Sequence, residues 1–451
     1  MNLQKKCLNN CLYTNKSIRS GSRLHNRPSN RAHFIRTGLL VLAALISVSC
    51  GKDTRKRPVI IWTDISEFVA YSEVFNASQN SVGVVVNYKE NPALSLPAAK
   101  DEPQPDIIIG TSLRTESVIK QFKALNYMFS SHEVNKNLFY PQLLDACKKN
   151  GYTYLIPVSF NLPTVMFAAS NSSYISDNYM LSLDQIRTAG AAYNEKNENN
   201  LYTRMGFAPQ WNTDFLCLAA MMNNAMFHEK KNTLLWDKNA LDSTVSYLRS
   251  WTTNANDSFA AEQDFSFKYL FTPAYSQIMS KRCLFAYMSS RELFALTPEQ
   301  LENVDFRWIH RGNAIPIVDP MITMGIYKHG KNRHGAEQFI KWFFTEKAQK
   351  AMLEHVQDMN LSTKTFGIAG GFSTLKGVNE HIFPIYYNPL LVNIPMADYI
   401  EAQPVLPMRW TNLREKVIDP YLLDAIHTDP EYLSKIKTLE GRLTDWDKQY
   451  F

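Results

Sequence analysis

Residues 151–170 read "GYTYLIPVSFNLPTVMFAAS". Two apolar strand-like runs are punctuated by Pro157 and Pro163. Proline withholds a ladder hydrogen bond, so it belongs at strand starts, edges and bends. We read this stretch as a chain crossing between two lobes. Upstream, "PVIIWTD" (58–64) is a buried strand of β-branched residues ending in polar ones. A helix follows in "ISEFVAYSEVFNASQ", with Phe68, Tyr71 or Ser72, and Phe75 at helical spacing. "VGVVVNYKE" and "DIIIG" are further strands, joined by the loop "LSLPAAKDEPQPD". Strands alternating with a helix predict an α/β sheet with crossover helices.

Downstream, "SLDQIRTAGAAYNEKN" opens on a Ser-x-x-Gln capping box and predicts a helix. Residues 215–228, "FLCLAAMMNNAMFH", predict an apolar helix whose Met221, Met222 and Met226 are core residues. "DKNALDSTVSYLRSWTTNAN" is amphipathic through Leu241, Val245 and Leu248. "KRCLFAYMSS" and "PMITMGIYKHG" predict strands, and "VDFRWIHRGN" a strand or an irregular loop. "GAEQFIKWFFTEKAQKAMLEHV" predicts one amphipathic helix. From Leu413 onward the period is helical, broken at Pro420 and Pro430. Trp62 and Trp308 sit at strand positions and are expected in the core.

The N-terminal 49 residues are of another kind. They carry eight basic residues and no acidic one. The apolar run Gly38–Val48 is roughly a dozen residues, too short to span a bilayer and suited to a signal-peptide core. It ends at Cys50, which resembles the bacterial lipoprotein signal, although Ser47 replaces the usual leucine three places before the cysteine. The resemblance implies acylation of Cys50 and a lipid anchor at the membrane. Its alternative is an uncleaved signal anchor with a chance cysteine. From residue 50 onward 40 basic residues face 42 acidic ones, so the basic surface that a nucleic-acid binder needs is absent. Cys147, Cys217 and Cys283 lie far apart with no C-x-x-C spacing. They leave room for one disulfide and exclude a disulfide scaffold. Cys217, inside "FLCLAAMM", reads as a core residue.

Taken together, these stretches resemble the extracellular solute-binding lipoproteins of bacterial ABC importers, on the carbohydrate, maltose-binding-like branch. The resemblance runs from about residue 58 to the end. It rests on the order of "VIIWTDISEFVAYSEVFNAS", "PDIIIG", "YLIPVSFNLPTVMFAAS", "SLDQI", "MGFAPQW" and "MITMGIYKHGKNRHGAEQFIKWFFTEKAQ" rather than on one motif. A "G-K-A-A-M" strand followed by Gly-Trp is frequent in that family. This chain has "SKRCLFAYMSSREL", with Ser289 and Ser290 where the tryptophan would stand. The resemblance implies two α/β lobes joined by hinge strands: residues 58–160 with about 325–360, and 161–324 with about 361–451, after a leader (1–49) and a tether (50–57). It also implies a monomer that closes on a small solute, expected to be a carbohydrate, and passes it to an ABC permease and its ATPase.

Ligands of open α/β sheets bind beyond the carboxyl ends of strands. Those ends read "WTD", "GTS" and "MSS". The candidates are therefore Asp64, Ser66 and Glu67; Thr111 and Ser112; Asn161 at the crossing; Trp211 and Asp214; Tyr287, Ser289 and Arg291; and Trp410. Gly370, Gly371 and Phe372 are expected as a flexible loop that caps the cleft. Each has a plainer reading: helix capping for Asp64 and Ser66, a turn for Asn161, core packing for Trp211. No G-x-S-x-G, H-E-x-x-H, Walker A or G-x-G-x-x-G pattern occurs, so no enzyme, cofactor or metal site is expected. His329 and His334 sit in a polar turn and do not extend to a metal cluster. The competing function is a surface lipoprotein that uses the same fold as an adhesin or structural module.

Overall fold

The computed structural model describes residues 57–230, 233–359 and 365–450. Cys50 and its expected lipidation lie outside the described residues. Strands β1 (Val59–Thr63), β2 (Val84–Tyr88) and β3 (Ile107–Gly110) run parallel, β1 in the middle. Helix α1 (Glu67–Ser78) makes the crossover from β1 to β2 and buries Phe68, Tyr71 and Phe75. A parallel pair needs such a crossover, because no tight turn can bring the chain back in the same direction.

The crossing segment divides into two strands that belong to different sheets. β4 (Ile156–Asn161) joins the first sheet, and β5 (Pro163–Ala168) joins a second. One residue, Leu162, separates them. The second sheet is completed by β6 (Met180–Leu181), β7 (Ala286–Ser289) and β8 (Val304–Ile309), in the order β7-β5-β8-β6. The chain then returns through β9 (Val318–Ile326), which lies between β3 and β4, antiparallel to both. The first sheet reads β10-β4-β9-β3-β1-β2, where β10 is Phe372–Ser373. "VDFRWIHRGN" is therefore a strand through Ile309, with Trp308 fully buried; Trp62 is likewise core.

Side-chain alternation explains why β5 is buried throughout. Val165 and Phe167 face one hydrophobic core, and Met166 and Ala168 face the other. A strand covered on both faces loses the apolar–polar alternation of a half-exposed one.

Several expectations are corrected. The apolar helix α3 is Thr213–Met222, not 215–228, because Asn223 leaves helical geometry and Asn224 is left-handed at φ 65°. Met226 is consequently 60% exposed rather than core, and Met221 is only partly buried. The long helix near the return crossing is two: α5 (Arg333–Phe343) and α6 (Glu346–Asp358). Thr345 turns extended between them, and its hydroxyl caps the Ala348 N–H at 3.2 Å. Pro420 does not break its helix. Helical backbone runs from Trp410 to Ala425 with a π turn at Arg414–Ile418, and Pro420 sits just past that turn. A π turn spaces its hydrogen bonds wider and accommodates a residue that has no N–H to give. β10, in the stretch expected with the second lobe, is the edge strand of the first sheet. The capping box at Ser182 and Gln185 is present as expected, opening α2 (Leu183–Tyr193). The amphipathic helix α4 (Lys238–Asn256) also forms as expected, with Leu241, Val245 and Leu248 buried. Cys147, Cys217 and Cys283 are buried free thiols.

Candidate ligand-binding cleft

The joint between the sheets is held by a closed set of hydrogen bonds. The Ser290 hydroxyl donates to Asn161 Oδ1 at 2.7 Å and accepts from the Leu162 N–H at 3.1 Å. The Ser290 N–H donates to the Leu162 carbonyl at 2.8 Å. Ser289, next to it, caps a short helix in a capping box with Glu292. Ser290 thus pins the crossing residue, while Ser289 serves the helix start. Asn161 is buried in this clasp and serves the joint rather than an open site.

Beside the clasp is a small cavity. Val318 pairs with Asn161, and Asp319 follows with a left-handed φ of 58°, at a bulge in β9. Such a backbone is costly for a side chain with a Cβ, though Asp tolerates it better than most residues. Here it accompanies a carboxyl that lines the cavity. Asp214 and Met221 from α3, Tyr287 and Ser289 from β7, Gln403, Trp410 and Arg414 complete the wall. The space is about 20 Å³, enough for one water molecule.

Four of the sequence candidates therefore meet here: Asp214, Tyr287, Ser289 and Trp410. Asp319, Gln403 and Arg414 were missed. Arg414 bonds Asp419 at 2.9 Å and also contacts Asp214, tying α3 to the π turn. For Asp319, burial raises the pKa, Arg291 and Arg414 lower it, and Asp214 raises it. Burial, then the charges of Asp319 and Asp214, push the Tyr287 hydroxyl well above its usual range. Gln403 Oε1 is buried with no partner among the described residues. An unmade hydrogen bond in such a place carries the desolvation cost of the group, so these groups favour a ligand or water that supplies it.

Gln403 also lines a narrow neighbouring space with Ser112, Arg114, Thr115 and Leu406. Arg114, Thr115, Val405 and Leu406 continue from there into an open groove of about 840 Å³. The groove runs between residues 114–120 and 146–149 on one side and residues 228–230, Leu234 and residues 405–413 on the other. The Arg114 guanidinium spans the lobes, donating to the carbonyls of Gln403 and Pro404, each at 2.9 Å.

The remaining candidates are dispersed. Asp64 is half-buried after β1; its Oδ1 has no partner among the described residues, and burial raises its pKa. Ser66 is at the start of α1 but makes no side-chain cap; its hydroxyl donates to Glu67 at 3.2 Å. Thr111 is half-buried and lines none of these spaces. Ser112 is left-handed at φ 58° and borders the neck. Arg291 donates to the Ala369 carbonyl at 3.2 Å, and a Cβ on Gly370 would lie 2.8 Å from its Nη1. Two expectations give way. Phe372 caps nothing: it is fully buried, in the aromatic stack of Phe160, Trp308 and Phe294. Trp211 lies flat on Phe265 with ring centroids 5.5 Å apart and donates to the Glu262 carbonyl at 3.2 Å, so packing describes it. Among the described residues no group of three or more metal-ligating side chains occurs, and no helix is long and apolar enough to cross a membrane.

The family model for bacterial extracellular solute-binding proteins matches residues 70–364. No curated protein sequence matches the chain. Solved structures share its fold. The sugar-binding protein MalE from the phytopathogen Xanthomonas citri is 10% identical at a TM-score of 0.63, over 87% of this chain and 96% of its own. The cyclic alpha-maltosyl-1,6-maltose binding protein from Arthrobacter globiformis is 15% identical at 0.55, over 86% and 97%. The GacH receptor of Streptomyces glaucescens, solved unliganded and with acarbose, is 13% identical at 0.55, over 87% and 97%.

Proposed function

The chain belongs to the bacterial extracellular solute-binding protein family, and from that premise we propose that it captures a carbohydrate in the cleft between its lobes and delivers it to an ABC permease. The observation that carries the sugar reading is the set of groups at the inner end of the cleft. Asp319 and Gln403 offer acceptors, Tyr287 a hydroxyl, and Trp410 an aromatic edge. A sugar presents that mixture: many hydroxyls to pair and an apolar ring face to cover. The names of the structural neighbours, which bind maltose-type sugars or acarbose, support the same class.

Capture works by closure about the joint at Leu162 and the return into β9. Contacts from both lobes stabilise the closed form by as much as the solute binds it better than the open one. Acylation at Cys50 holds the protein at the membrane beside its permease.

One observation favours the second reading, a surface lipoprotein that binds without transporting. Residues 403–406 line the neck of the cleft, and the inner cavity has room for one water. Thermal unfolding with a panel of mono- and oligosaccharides decides between them. A sugar at about 100 times its Kd adds about 2.7 kcal/mol to the native state. A shift confined to one sugar class and lost in Trp410→Ala supports capture. No shift with sugars, amino acids or polyamines moves the assignment to the surface module.

A further inference from the structure

Resting on the capture reading, we propose that the solute is an acidic oligosaccharide, its carboxylate or sulfate held in the groove by Arg114. The wall of the groove is locally basic. Among the described residues six basic ones line it, Arg114, Lys120, Lys148, Lys149, Lys230 and Arg409, against three acidic ones, Glu116, Glu229 and Asp447. From residue 50 onward the chain has slightly more acidic than basic residues, so this excess is local. Lys149 and Lys120 share one carboxylate, Glu116, at 3.1 and 3.7 Å.

Arg114 itself lines both the neck and the groove. Its partners are two neutral carbonyls, Gln403 and Pro404, and among the described residues no carboxylate pairs with it. A guanidinium has five N–H donors in a planar fork, which matches the two oxygens of an anionic group. Two of the five are accounted for by the carbonyls. A half-buried cation without an anion is an expensive thing to maintain, and an anion arriving through the groove compensates it. About 840 Å³ suits several sugar units, and Ile119, Leu234, Leu406 and Trp446 supply an apolar wall for ring faces.

The test is calorimetric titration of the protein with a galacturonic acid trisaccharide, with neutral maltotriose and inorganic phosphate in parallel. The acidic trisaccharide is expected to bind at least about tenfold tighter than maltotriose, and Arg114→Gln to remove that advantage. Lys149→Gln, at the rim, should weaken it about two- to fivefold, and raising salt should weaken the wild type. These two readouts stand even where Arg114→Gln fails to fold. Equal or tighter binding of maltotriose overturns the acidic assignment and leaves sugar capture in place. Phosphate binding as tightly as the acidic trisaccharide also overturns it, leaving an anion site alone. Failure of both saccharides, together with a silent sugar panel, overturns the capture reading as well.

Discussion

Two polar regions a few residues apart behave in opposite ways. At the joint, Ser290, Asn161 and Leu162 close their hydrogen bonds on one another. In the adjoining cavity, Gln403 keeps a buried oxygen without a partner among the described residues, and burial raises the pKa of Asp319 against the charges of Arg291 and Arg414. Both regions sit on the same strand pair, since Val318 faces Asn161. The difference separates scaffold from site. A polar group that is satisfied internally fixes geometry; one left unsatisfied is a place where binding energy is available.

The strongest way to break the scaffold side is Phe372→Ala. It empties a fully buried aromatic stack beside the joint, and we expect a loss of about 3–5 kcal/mol, read from the urea midpoint. Ser290→Ala removes both hydroxyl bonds of the clasp and strands the Leu162 N–H, for about 1–3 kcal/mol. A third case sharpens the contrast. Glu262 is a buried carboxyl that is satisfied, accepting from Asn256 at 2.7 Å and Gln210 at 2.8 Å, yet burial pushes its pKa up to about 7. Its folded pKa lies above the unfolded value, so the folded state binds the extra proton. Its contribution to stability is complete below about pH 4.5, declines as pH rises toward about 7, and levels off above. The decline is on the order of 3 kcal/mol, and Glu262→Gln should flatten it when unfolding is followed from pH 4 to pH 8. On the site side, Asp319→Asn should change stability by no more than about 0.5 kcal/mol, while sugar affinity falls about tenfold or more. A stability loss as large as that of Ser290→Ala would place Asp319 in the scaffold.

The same contrast governs what was legible in the sequence. The β1 strand and its helix were readable because local pattern decides them: β-branched residues, then Phe68, Tyr71 and Phe75 at helical spacing. Ser182 and Gln185 announce a helix start for the same reason. Tyr287, Ser289, Asp214 and Trp410 were found because they stand at the ends of readable elements. Asp319 and Arg414 were not. One depends on a bulge set by pairing with β4, and the other on a π turn, and neither leaves a local signature. Phe372 misled because its glycines read as a loop, whereas pairing with Phe160, more than two hundred residues earlier, makes it a strand. Trp211 misled because an exposed-looking tryptophan does not declare that Phe265 covers its face.

The three buried thiols make the molecule its own clock for opening. Cys147 lies in the first core and Cys217 in the second, and burial pushes both thiols up to about 12. Neither reacts at neutral pH while its surroundings stay shut, because the thiolate is the reactive form. Alkylation rates at the two cysteines, followed separately by mass spectrometry, therefore count the excursions of each half independently. A solute that bridges the lobes slows both rates together, and one that grips a single lobe slows only one.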